Sequence, residues 1–284
     1  MRIGLISDTH MPRRCKALPP IIAEQFATCD VILHAGDVGE LWVLDQLSQS
    51  APVIAVHGND ETVEATNALP FLQTLAIAGH RIVLTHSHYP DRQIEMEQRK
   101  DDTWPSKLQY RADFGKAHGA AIVISGHTHI PMQVEHDGVL LINPGAIASG
   151  GAWTKQVLQT VAVLTLIPNS APQVEFTNVR TGAVYVPDVD WEAGFAAQIV
   201  KTNQPIFAED FFALRDWFMK TVYPLAPDYL EDTILPLCHE VWDGKREIIT
   251  VEDVAAAFTQ SGNTPDAIMA LLRQNETLAP YLRA

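Results

Sequence analysis

Apolar residues follow two rhythms along this chain. Up to about residue 178 they gather in short runs rich in Val and Ile: "RIGLIS" (2–7), "DVILHAG" (30–36), "APVIAVHGN" (51–59), "HRIVLTH" (80–86), "AAIVISG" (120–126) and "GVLLINPG" (138–145). Such runs are the mark of strands covered on both faces. Segments of helical character, 18–27, 39–48 and 105–117, lie between them, and the alternation predicts an α/β fold built from βαβ units. The strands 131–136 with 138–142, and 158–167 with 172–177, follow one another without helices. They predict a second, antiparallel-rich sheet.

Past residue 185 the strand signal fades. In "PIFAEDFFALRDWFMKTV" (205–222), Phe207, Phe211, Leu214, Phe218 and Val222 recur at helical spacing, with Phe212 and Trp217 widening the stripe. One helix is expected there, its aromatic stripe packing inside its own chain, with dimerisation or lid formation as the alternatives. Thr250 with Asp253 three positions on resembles a capping box. Gly262 closes that helix, and Thr264-Pro265-Asp266 opens another. The pattern therefore predicts a first domain over 1–184 and a helical C-terminal module over 185–284.

Composition narrows the classes. The chain has 284 residues, 47% of them hydrophobic, enough for a sizeable core. No window of ~18 consecutive apolar residues suggests a membrane span. The apolar start is too short for a signal peptide and reads as a buried first strand. Cys15, Cys29 and Cys238 are odd in number, scattered and without C-x-x-C spacing, which predicts reduced thiols in a cytoplasmic protein and neither a zinc ribbon nor redox catalysis. The formal net charge of −14 disfavours extended nucleic-acid binding, which needs clustered Lys and Arg. Residues 1–184 carry 13 basic against 18 acidic side chains and residues 185–284 carry 7 against 16, so charge also shifts near the expected boundary.

Candidate chemistry sits where the strands stop: Asp8-Thr9-His10, Gly36-Asp37, Gly58-Asn59-Asp60, His86-Ser87-His88 and Gly126-His127-Thr128-His129. Taken singly, Asp37 or Asn59 is an ordinary turn or cap residue, and His86 with His88 an ordinary polar strand end. Five consecutive ends of this kind converge on one crevice, because ligands of open α/β sheets bind beyond the carboxyl ends of strands. Oxygen ligands mixed with imidazoles suit manganese, iron, zinc or nickel, not calcium or magnesium alone.

That ordered set, D8-T-H10, G36-D37, G58-N59, H86 and G126-H127-T-H129 with "NPG" at 143–145, resembles the calcineurin-like metallophosphoesterases, in particular their small bacterial and archaeal phosphodiesterases. The resemblance covers residue 1 to about 178. It implies a four-layer αββα sandwich of two mixed sheets, here with a C-terminal helical extension. It further implies two divalent ions, manganese foremost: Asp8, His10 and His129 holding one, Asn59, His86 and His127 the other, and Asp37 bridging. Two such ions ~3.5–4 Å apart can share a hydroxide for in-line attack on a phosphoryl group. A phosphodiesterase acting on a small phosphorylated substrate is thus expected, with phosphomonoesters or nucleotides as close alternatives. The rival of a different class is a non-catalytic protein-binding scaffold, since a eukaryotic retromer subunit resembles the same fold. The C-terminal module is the expected surface for any homo-oligomer.

Three features depart from the family pattern. Many relatives carry His after the GN asparagine, where it serves the leaving group; here Asp60 stands there, ionised at neutral pH unless burial raises its pKa. Asp60 is the catalytic candidate by position, and His88 is the substitute acid. The stretch between His88 and His127 is longer than in small relatives, and its Arg92, Arg99, Lys100 and Lys107 offer phosphate contacts or merely a solvated face. Ser87 occupies a position where glycine is commoner. His34, just before Gly36-Asp37, is expected to support the ligands from behind or simply to pack, and His57, His80, His118, His136 and His239 are expected to be structural or exposed.

Overall fold

Period-two alternation divides the buried strands between two faces, and the helices follow from that division. In the computed structural model, which describes residues 1–282, strands β1 (Arg2–Ile6), β2 (Val31–His34) and β3 (Val53–Ala55) run parallel. The second sheet holds β4 (Leu72–Ile77), β5 (His80–Thr85), β6 (Ile122–Ile124), β7 (Met132–His136) and β8 (Val139–Asn143) in the order β4-β5-β6-β8-β7. Strand β9 (Thr154–Gln156) pairs with β13 (Asn203–Pro205) in a two-stranded ribbon. Between them, β10 (Thr160–Thr165), β11 (Gln173–Asn178) and β12 (Val184–Tyr185) rejoin the first sheet, giving β12-β11-β10-β1-β2-β3.

Ile3, Leu5, Leu33, Ala162 and Leu164 of the first sheet share one buried cluster with Ile82, Leu84, Ile122, Ile124 and Ile142 of the second. Their neighbours along each strand face outward. Ile6, Ile32, Val161 and Val163 pack under the helices Pro20–Phe26 and Trp42–Leu47, through Ile22, Phe26, Val43 and Leu47. Val83, Val123 and Leu141 pack under the helix Trp104–Ala117, through Trp104, Leu108 and Ala112. The result is the expected αββα sandwich. The hairpins do not, however, make a second antiparallel sheet of their own. β7–β8 adds to β6, and β10–β11 adds to β1, so each gives an antiparallel flank to a parallel centre and both sheets are mixed. Local pattern fixes a hairpin but not the sheet whose edge it extends.

The chain divides into two compact units, residues 1–150 with 156–203 and residues 151–155 with those from Gln204 onward. That division lies beyond residue 184 because the helix Phe195–Thr202 belongs with the sandwich: Phe195 and Ile199 join the cluster of Trp104. In the second unit the aromatic stripe turns inward, with Phe207, Phe211 and Phe218 buried in a core that Trp153 also enters. The expected single helix over 205–222 is broken. Ile206 to Ala208 exchange backbone hydrogen bonds with Ile249, so the helix starts only at Glu209. It continues through Arg215–Trp217 into a π-helical turn, Phe218–Val222. Helices Pro227–Trp242, Val251–Gln260 and Asp266–Gln274 complete this unit. Among the described residues no helix is long and apolar enough to cross a membrane.

Candidate metal centre

The carboxyl ends of β1, β2 and β3 in one sheet and of β5 and β6 in the other each release a short loop carrying polar residues. These loops bend sharply. Asp8, His10, Asp37, His127 and His129 all hold left-handed φ values, of 55°, 46°, 52°, 70° and 59°. Ser87 does so as well, at φ 68°, which is why glycine would be at ease there. Two glycines permit the close approach of the loops: a Cβ on Gly58 would overlap Asp37 Oδ1, and one on Gly126 would overlap Ser7 Oγ.

The atoms able to donate lone pairs converge. His129 Nε2 lies 3.0 Å from Asp8 Oδ1, His86 Nε2 3.2 Å from Asp37 Oδ2, and His10 Nε2 3.5 Å from the same Asp37 oxygen. His10 Nε2 and His129 Nε2 are 3.5 Å apart. Two trios, Asp8 with His10 and His129, and Asp8 with Asp37 and His86, keep their ligand atoms within 4.8 Å of one another. The other atoms of these groups are tied down. Asp8 Oδ2 accepts from Ser7 Oγ at 2.6 Å and from His127 N–H at 3.1 Å. Asp37 Oδ1 accepts from Asp60 N–H at 2.8 Å, and His86 Nδ1 lies 2.8 Å from the Ala35 carbonyl. Among the described residues neither Asp8 Oδ1 nor His86 Nε2, both buried, has a hydrogen-bond partner of good angle; their near polar neighbours are other candidate ligands, His129 Nε2 and Asp37 Oδ2. Buried carboxylates and imidazoles with lone pairs left over in this way fit divalent cations.

The field inside the cluster is strong. Burial alone would raise Asp8 and Asp37, yet His129 and His86 beside the first, and His86 and His10 beside the second, hold both well below the usual carboxylate range. Burial works against charge on His86, but Asp37 and Asp8 override it and push the ring up to about 9. Burial lowers His10 and His127. His34, which meets Thr9 Oγ1 at 3.1 Å, is taken down to about 3 by burial.

The remaining predicted residues are placed differently. Asn59 is exposed, on the loop between Gly58 and Asp60. His127 packs its ring 5.1 Å from that of His86, with Nε2 2.9 Å from Glu95 Oε1. Asp60 pairs with Arg14, reaches Arg13 at 3.3 Å, and lies 3.4 Å from His10 Nδ1. Burial opposes its charge, but the hydrogen bond to His10 and the Arg14 guanidinium bring it down to about 2. His88 is buried near the rings of His86 and Phe71, and burial followed by the charges of His86 and His127 takes it to about 3. Of the insertion's cations, Arg99 is engaged with Glu95 and Lys107 with the carbonyls of Gln98 and Asp101, whereas Arg92 and Lys100 are exposed.

Sequence reasoning missed three supporting side chains. Arg14 Nη1 lies 3.1 Å from His10 Nδ1 and donates to the Ser149 carbonyl at 3.2 Å. Glu61 accepts the backbone N–H groups of Val38, Gly39 and Gly58 at 2.9, 2.6 and 3.0 Å, tying the loop after β2 to the loop after β3. Glu95 is the third. Arg14 and Glu61 each lie within four residues of a candidate ligand, a proximity that could have drawn notice; Glu95 gives no such signal.

Residues 1–167 match the family model of the calcineurin-like phosphoesterase superfamily domain. The chain belongs to that superfamily. A Methanocaldococcus jannaschii protein named probable metallophosphoesterase is 35% identical over 148 residues, 51% of this chain and 68% of that one. A phosphodiesterase of the same archaeon is 28% identical over 159 residues, 51% of this chain and 83% of its own length. Wild-type Vps29 of Entamoeba histolytica, solved in complex with zinc, shares the fold at a TM-score of 0.50 and 21% identity, over 68% of this chain and 100% of that one. As a calcineurin-like phosphoesterase the chain is a metal-dependent hydrolase of phosphoesters, and its family implies divalent metal ions.

Proposed function

We propose that this protein is a di-metal phosphodiesterase acting on small phosphorylated substrates, and that Asp8, His10, Asp37, Asn59, His86, His127 and His129 hold its two cations, manganese foremost. The convergence of the Asp8, His10, Asp37, His86 and His129 ligand atoms carries the reading. When bound, such a pair supplies Lewis acidity toward phosphoryl oxygens and a nucleophile drawn from water at neutral pH. Asp37 is suited to bridge, because its Oδ2 faces both His10 and His86 while its Oδ1 is fixed by a backbone amide. The Ala35 carbonyl takes the Nδ1 proton of His86 and leaves Nε2 free to ligate. Asp60 and Arg14 both reach Nδ1 of His10, at 3.4 and 3.1 Å, and orient the ring from behind.

The diester preference rests on Asp60 and His88. Neither can protonate a leaving oxygen at neutral pH: the one is an ion-paired carboxylate, the other a neutral imidazole. Substrates whose leaving group departs without protonation are favoured, so the logarithm of kcat should fall steeply with leaving-group pKa across a series of aryl phosphodiesters; a flat plot would overturn the preference. Metal analysis of the purified protein with hydrolysis of bis(p-nitrophenyl) phosphate in Mn²⁺ tests the reading as a whole. Two ions per chain and a rate reduced to background by H129A are expected. A wild-type protein inert with every divalent ion tried would instead support the scaffold.

A further inference from the structure

The helix Arg92–Gln98 is patterned inside out. Ile94 and Met96 are 46% and 47% exposed, whereas Glu95 between them is 3% exposed. A carboxylate goes into the interior only where partners hold it. Glu95 Oε2 accepts the Tyr89 N–H at 3.0 Å, and Oε1 accepts from Arg99 Nε at 2.8 Å and lies 2.9 Å from His127 Nε2. A carboxylate that receives the Tyr89 amide on one oxygen and the permanently charged Arg99 guanidinium on the other is an ion.

An ionised carboxylate can only accept, so the proton shared with His127 sits on Nε2. A neutral imidazole that donates from Nε2 keeps its lone pair on Nδ1. We infer that Glu95 is a positioning residue that fixes His127 in its Nε2–H form and so makes Nδ1 the ligand atom offered to a divalent cation. The charged insertion after His88 thereby serves the metal centre from outside it, as carboxylates behind ligating histidines do elsewhere. The inference rests on the two-cation reading above.

Two measurements on the full-length protein test it. Long-range ¹H–¹⁵N correlation on the metal-free wild type should show His127 as the Nε2–H tautomer, and an Nδ1–H ring would overturn the role of Glu95. In Mn²⁺ titration calorimetry, E95A should weaken one of two sites by ~10–100-fold and leave the other within ~2-fold. E95Q, whose amide oxygen still accepts from Nε2–H, should fall between E95A and wild type. R99A keeps the contact to His127 and should bind like wild type; an R99A as weak as E95A would assign the effect to the loop and overturn the inference. A wild type that takes up fewer than two ions defeats the two-cation reading, whereas two ions held equally well by wild type and E95A defeat only the role of Glu95.

Discussion

Five of the seven candidate ligands hold left-handed backbone, and no glycine is among them. Each such residue costs ~1–3 kcal/mol and persists only where its surroundings overdetermine it. Here those surroundings are side chains outside the candidate ligand set: Ser7 on Asp8, Glu61 on the amides of the two loops, and Asp60 with Arg14 on His10. Asp60 can be tested through acid stability. Its pKa is depressed from the ordinary ~3.9 to about 2, so its contribution is present above the ordinary value and is lost as pH falls through about 2. In metal-free protein the stability of wild type should drop more steeply between pH 4 and pH 2 than that of D60N, measured by urea unfolding at each pH; parallel curves would remove the ion pair from the ledger. The side chains that converge, Asp8, His10, Asp37, His86 and His129, were legible because Asp and His recur at successive strand ends. Glu95 was not, because it acts from a helix whose exposed Ile94 and Met96 disguise the buried position. The roles of Asp60 and Arg14 escaped notice for a different reason: they depend on a contact between loops, which no local pattern encodes.

At the level of elements, every strand expected from the apolar runs is present, shortened at its ends where the chain turns into the loops. Burial on both faces accounts for this, since it leaves a continuous apolar run that is hard to misread. The edge strand β4, half-buried and without a continuous apolar run, was not expected, and two further things were hidden. One is the sheet that each hairpin joins, a long-range choice made by β1 and β6. The other is the break ahead of Glu209, set by the backbone partnership of Ile206 and Ala208 with Ile249 some forty residues on. Capping was visible, and the box at Thr250 is complete: Thr250 Oγ1 accepts the Asp253 N–H at 3.2 Å while Asp253 Oδ2 accepts the Thr250 N–H at 2.8 Å. Thr250→Ala should therefore cost ~1 kcal/mol, seen as a lower urea midpoint at unchanged slope, with Thr250→Ser recovering most of it.

Across the whole molecule, the superfamily match ends at residue 167, but the sandwich unit runs on to Asn203. Residues 186–203 are part of it because Trp191 and Phe195 pack edge-on against Trp104 at 5.0 and 5.3 Å. A chain ending at Tyr185 should thus melt below one ending at Asn203, because Trp104 loses its aromatic cover; equal melting temperatures would show that the packing contributes nothing. Residues 151–155 complicate any such cut, because Trp153 stacks on Phe211 at 5.7 Å and meets Phe207 at 4.8 Å inside the second unit. The polypeptide therefore enters that unit, leaves it, and enters again. A protease that nicks only the bond between Asn203 and Gln204 would yield two bands on a denaturing gel and one peak in gel filtration, because the larger fragment still carries an indole seated in the core of the smaller.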